Sequence, residues 1–138
     1  MTDLLKPYPD AELVFMDLLR GLGRPVTATD TAIQPKTIQI ERIGGPDNGV
    51  TDRPRVKVTV FEDTRPKAWE LTRLIQALVL ASGGRMVTGP NTAAEYPSGV
   101  LIDKALTSTP PKQVPESGRG SRQIETVFEI HIRRPWWQ

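Results

Sequence analysis

Few side chains in this sequence are equipped for chemistry. His131 is the lone histidine, and there is no cysteine. A histidine-rich or thiolate metal site is therefore excluded, and a Ser-His-Asp arrangement would have to depend on His131 alone. That residue sits mid-way along an alternating run with charged neighbours, where a structural role is expected, and no Gly-x-Ser-x-Gly elbow surrounds any serine. Two acid pairs invite a general acid–base reading. Glu12 and Asp17 fall in an expected helix whose opening turn favours acids through its dipole. Glu62 and Asp63 fall at a turn, where capping accounts for them. The sequence names no catalytic, metal-binding or cofactor-binding residue, and no enzyme activity is expected.

The segment Gly44-Gly45-Pro46-Asp47-Asn48-Gly49 is rich enough in glycine to suggest a phosphate cradle. A P-loop ends in Gly-Lys-Ser/Thr at the start of a helix, and a dinucleotide fingerprint opens a helix with spaced glycines. Here a second strand follows instead. Asn-Gly takes positive φ readily, so the segment reads as a hairpin turn.

Basic and aromatic residues supply the remaining candidates, as partner or subunit contacts. Arg53, Arg55, Lys57 and Lys112 lie at exposed-looking positions. Arg119, Arg122, Arg133 and Arg134 lead into Trp136 and Trp137 near the C-terminus. Adjacent tryptophans suit an interface, or equally packing against their own domain. Together with the arginines they also offer a stacking surface for a single nucleic-acid strand. Against that, 18 Lys and Arg are balanced by 16 Asp and Glu to a net charge of +2, and acids interrupt the basic residues throughout. Such mixing suits protein partners better than a nucleic-acid groove.

These residues must be positioned by a hairpin followed by a helix. Thr37–Ile43 reads as one strand. Arg55–Phe61 alternates, with Val56, Val58 and Val60 on one face and Arg55, Lys57 and Thr59 on the other. Thr64 and Pro66 then start a helix whose stripe of Ala68, Leu71, Ile75, Leu78, Val79 and Ser82 must lie on the sheet, and Gly83-Gly84 stops it. Before the hairpin, Asp10 caps a helix expected to run through Leu22. Arg24–Lys36 is a connection in which Val26 and Ile33 are pinned to the core or form a short strand. After the long helix come a short edge strand at Arg85–Val87 and a core strand at Gly99–Leu106. The last strand places Ile124, Thr126, Phe128, Ile130 and Ile132 toward the helices.

The expected fold class is α+β: a mainly antiparallel sheet of about four strands with two principal helices on one face. With 138 residues the chain forms one domain, 1–138. Residues 1–9 are an N-terminal arm. Residues 107–121, with Pro110, Pro111 and Pro115, are a flexible loop before the last strand. Residues 134–138 are a tail. No run approaches the length of a membrane span, no signal peptide is evident, and the cysteine-free composition fits a reducing cytoplasm.

Several of these segments carry a resemblance. The Pro9-Asp10-Ala11-Glu12 helix opening, the Arg42-Ile43-Gly44-Gly45 turn, the run Asp52–Phe61, the Thr64-Arg65-x-x-Ala68 helix start and the final strand ending in Arg133-Arg134 resemble the tail terminator proteins of long-tailed phages, above all those infecting actinobacteria. The likeness spans most of the chain, leaving out Gly83–Ser121 and Trp136-Trp137. It implies a small virion protein, made in the host cytoplasm, that forms a hexameric ring at the head–tail junction. The implied partners are further copies of itself, the tail-tube protein and the head connector, with DNA only passing through the lumen and no membrane or cofactor involved. A neck or connector protein, a nucleic-acid-binding module and an enzyme with its site at a subunit boundary are the other readings.

Overall fold

The computed structural model describes residues 7–27, 36–114 and 122–133. Asp10 caps α1 (Ala11–Leu19): its backbone is extended, and its carboxylate accepts a 2.9 Å hydrogen bond from Glu12 N. The helix ends before Leu22. Leu22 N instead bonds Leu19 O at 3.0 Å, and Gly23 then passes so near β2 that a Cβ there would lie 2.6 Å from Lys36 O. Only glycine allows that approach, and it directs the chain into β1 (Arg24–Val26).

The expected hairpin is present as β2 (Thr37–Gly44) and β4 (Arg55–Glu62), paired antiparallel from Thr37↔Phe61 to Gly44↔Arg55. Its wide turn contains a further short strand, β3 (Thr51–Asp52), which pairs with the end of β7 (Arg122–Arg133). Thr64 caps α2 (Arg65–Ala81) by accepting from Lys67 N at 3.4 Å, and Pro66 occupies its first turn, where a missing N–H leaves no helical bond unmade. Gly84, at φ +79°, turns the chain out of the helix into the edge strand β5 (Arg85–Val87).

Two expectations about the sheet need correction. It has seven strands, in the order β1-β2-β4-β7-β6-β5 with β3 beside β7, and it is mixed, because β1 runs parallel to β2. The edge strand expected at Arg85–Val87 is present as β5, whereas β1 and β3 are three and two residues long, too short for a period of two to register. In addition, residues 107–114 are not loop. They belong to β6 (Val100–Val114), which pairs with β7 as far as Val114↔Gln123. Pro110 and Pro111 are accommodated because the register shifts between Thr109 and Lys112 on a strand whose other side carries β5 only at Val100–Ile102. Proline belongs on such bulged edges, where its missing N–H interrupts no ladder bond. Residues 115–121, the rest of the expected loop, lie outside the described residues.

Strand β7 is central, flanked by β4 and β6. Ile124, Thr126, Phe128, Ile130 and Ile132 are all buried, on the face expected to meet the helices. The four apolar ones form one core with Ile38 and Ile40 of β2, the three valines of β4, Val14, Phe15 and Leu19 of α1, and Ala68, Leu71, Ile75 and Val79 of α2. Phe15 and Phe128 meet with ring centroids 6.2 Å apart. Each such side chain contributes about 1.5–3 kcal/mol by leaving water. Both helices therefore cover one face, and the other face is left without a helix.

Candidate assembly surface

The helix-free face is built from the alternate residues of β2, β4, β7 and β6. Register places Glu41 opposite Lys57, Lys57 opposite Val127, Arg55 opposite Glu129, and Glu125 opposite Lys112. Charges of opposite sign meet across strands. Lys57 Nζ lies 3.3 Å from Glu41, Lys112 Nζ 3.5 Å from Glu125, and Arg133 Nε 2.8 Å from Asp103. His131 shares a 2.8 Å hydrogen bond with Glu129 on the same strand. Such partly exposed pairs contribute little stability individually, at most about 1 kcal/mol. Their consequence is electrostatic: among the described residues the face alternates in sign and presents no continuous basic track of the kind nucleic acid requires.

The candidate contact residues are thus distributed rather than clustered. Arg55, Lys57 and Lys112 share this face, and Arg133 lies at its end beside Asp103. Arg53 is exposed, one residue after β3. Arg122 opens β7 opposite Glu62 in register. Arg119, Arg134, Trp136 and Trp137 lie outside the described residues.

Two polar knots were not foreseen. Arg42 forms a two-pronged ion pair with buried Asp52, both N···O distances 2.8 Å, and also donates to Gly44 O and Gly45 O. Together with Asn48 Oδ1, which accepts from Val50 N and Thr51 N, it fixes the shape of the β2–β4 turn. Gly45, at φ +101°, packs so tightly on this turn that a Cβ would sit 2.1 Å from Arg53 O. The second knot joins α1 to the loop after β5. Asp17 accepts from Asn91 N and Nδ2 and from Thr92 N and Oγ1, at 2.7–3.0 Å. Gly89 passes so close that a Cβ would lie 2.4 Å from Asp17 Cγ. The signal in the sequence was faint: an acid between Met16 and Leu18, within the apolar stretch of a helix. Farther along that loop, Tyr96 donates to Pro7 O at 2.7 Å. Its burial and the charge of Glu95 push the phenol up to about 12.

Both acids of α1 thus hold structure together, since Glu12 accepts from Arg42 N at 3.0 Å. Among the described residues, no three His, Asp or Glu side chains converge to hold a metal ion, and no helix is long and apolar enough to cross a membrane.

The outer side of α2 is the other distinctive surface. Leu74 and Leu80 are 51% and 44% exposed. Pro66, Trp69, Glu70, Arg73, Leu74 and Ala77 line a shallow open cleft. Arg65 stacks its guanidinium 5.6 Å from the Trp69 ring, whose indole N–H finds no acceptor among the described residues. At the β2–β4 turn, Ile43 and Val50 are 45% and 65% exposed. Met86 of β5 is exposed as well, so the exposed apolar side chains are scattered over the turn, α2 and β5 rather than gathered into one patch.

The chain is similar to known proteins. The family described as "Phage tail termination protein" matches the chain over residues 7–137. A chain of the "Virion of native gene transfer agent (GTA) particle" superposes with a TM-score of 0.48 at 13% identity, covering 87% of this chain and 84% of that one. A search of curated proteins gives no match.

Proposed function

Because the chain belongs to the phage tail termination protein family, we propose that it forms a hexameric ring on the head-proximal end of a long-tailed phage's tail tube. There it ends tube growth and joins the tail to the head connector. The family's role is structural and tail-related, not enzymatic, and the protein is a component of the virion. The match over nearly the whole chain carries this reading.

Three features of the fold support it. A sheet with helices on one face leaves a broad second face for neighbours. The charge-compensated pairs on that face suit a surface past which DNA moves without being held, because little net charge is available to exchange for counterions. Finally, Pro110 and Pro111 with their register shifts interrupt the β6 edge and Glu12 takes the N–H of Arg42 on β2, and a protein that stops polymerisation gains from edges that do not template further strands.

Light scattering of the purified chain, alone and mixed with the tail-tube protein, tests the proposal when followed by electron microscopy of the same fractions. Hexameric rings, or rings at one end of tubes of limited length, are expected. A chain that stays monomeric and leaves tube growth unchanged would overturn it. Rings found on the connector but never on tubes would reassign the protein to the neck.

A further inference from the structure

We propose that Asn48 is a site of self-modification: the tip of the β2–β4 turn promotes loss of its side-chain nitrogen as ammonia and leaves aspartate or isoaspartate at position 48. The inference concerns the chemistry of this turn and does not depend on the ring reading.

Asn48 and Gly49 lie at the exposed tip, between Asp47, which bridges to Asp52, and β3. In the reaction Gly49 N attacks Asn48 Cγ and closes a succinimide ring. The N–Cγ bond forms, the Cγ–Nδ2 bond breaks, and the proton lost by Gly49 N leaves with Nδ2 as ammonia. Water then opens the ring at Cγ to give aspartate, or at the backbone carbonyl to give isoaspartate. No reactant besides water is needed, and water reaches the exposed tip.

The groups around these atoms are already in place. Gly49 N donates to Asp47 Oδ1 at 3.1 Å, so a carboxylate sits on the nucleophile where it can take the proton. Asn48 Oδ1, where negative charge develops on attack, accepts from Val50 N at 3.0 Å and from Thr51 N at 2.7 Å. Two backbone donors aimed at that oxygen hold the tetrahedral oxyanion more strongly than the neutral amide. The leaving nitrogen, Nδ2, makes no hydrogen bond among the described residues. Gly49, at φ +88°, has no side chain to cover its nitrogen, and the space around it is open.

Asn91 provides the contrast. It precedes Thr92, whose N–H is likewise held by a carboxylate, that of Asp17. However, Thr92 is buried and its branched side chain flanks the nitrogen. Asn91 also spends Nδ2 as a donor to Asp17 Oδ1, and among the described residues no backbone N–H is aimed at its own Oδ1.

Conversion at position 48 changes the turn. Aspartate keeps an acceptor for Val50 N and Thr51 N and adds a negative charge beside Asp47. Isoaspartate inserts a carbon into the main chain and displaces that acceptor, which loosens β3 from β7 at Thr51↔Arg133.

Peptide mapping by mass spectrometry of the full folded chain, incubated at neutral pH, tests this against the same chain unfolded in guanidinium chloride. Folded Asn48 should convert at least roughly tenfold faster than Asn91, and than Asn48 of the unfolded chain. Asp47→Ser leaves an acceptor for Gly49 N but no base, and should slow conversion roughly tenfold. Circular dichroism confirms that this variant is folded. Conversion no faster in the folded chain than in guanidinium chloride would show that the turn shields the amide, and would overturn the proposal. A folded Asp47→Ser chain converting at the wild-type rate would overturn it as well, because the turn would then add nothing to an ordinary Asn-Gly pair.

Discussion

Asp17 of α1 and Thr92, 75 residues further along the chain, are joined twice, with Thr92 N and Oγ1 donating to Asp17 Oδ2 at 2.9 and 2.7 Å. Asn91 adds two more donors to the other oxygen. The carboxylate is therefore the anchor of the loop between β5 and β6, and Gly89 makes room for it.

Replacing this acceptor should be costly. Asp17→Ala leaves the buried Thr92 hydroxyl and the Asn91 amide without their acceptor and is expected to lower stability by about 2–4 kcal/mol. Thr92→Val removes one of the four donors and should lose about 1–2 kcal/mol. Urea denaturation of each variant measures both. An Asp17→Ala midpoint equal to wild type would show that the loop is held by other contacts.

The same group gives a signed dependence on pH. Burial alone would raise the Asp17 pKa, but the hydrogen bonds from Thr92 and Asn91 outweigh it and hold the carboxyl below its ordinary 3.8. The folded state thus binds this proton less readily than the unfolded chain. Its stabilisation is fully present above the unfolded value and is lost as pH falls below 3.8 through the folded value. Thermal midpoints between pH 6 and pH 2 should fall more steeply for wild type than for Asp17→Asn, and the two curves should converge at the acid end. Parallel curves would exclude Asp17 as a source of the acid sensitivity.

Arg42 positions the β2–β4 turn as a fork rather than as a charge. Arg42→Lys keeps the charge but cannot span Asp52, Gly44 O and Gly45 O together. It should cost about 1–3 kcal/mol and loosen the turn, with faster amide exchange at Val50 and Thr51 than in wild type. Unchanged exchange at these two amides would show that Asn48 alone rigidifies the turn.

Pro110 and Pro111 are expected to act through solubility rather than stability. Replacing both by threonine restores two N–H groups on an edge strand and favours pairing with other chains. Light scattering over a concentration series should show irregular aggregates in the double variant at concentrations where wild type shows none. A double variant that stays as disperse as wild type would mean that the register shifts alone guard the edge.

Local information accounts for what the sequence determined by itself. The cap at Thr64, the apolar stripe of α2, the alternation of β4 and β7 and the turn nature of Gly44–Asp52 each follow from spacing within a dozen residues. Steric and hydrogen-bonding preferences act over that range, so these elements were legible, as was the one-faced α+β arrangement they imply. Tertiary structure alone decided the rest. Residues 107–114 have the composition of a loop and become strand because β7 supplies a ladder and the edge position tolerates proline. β1 and β3 are too short to carry a pattern and exist only because β2 and β7 lie beside them. The partners of Asp17 and of Arg42 were equally hidden. A charged side chain declares its need for a counterpart, but which group answers depends on how the chain folds back, and no periodicity records that.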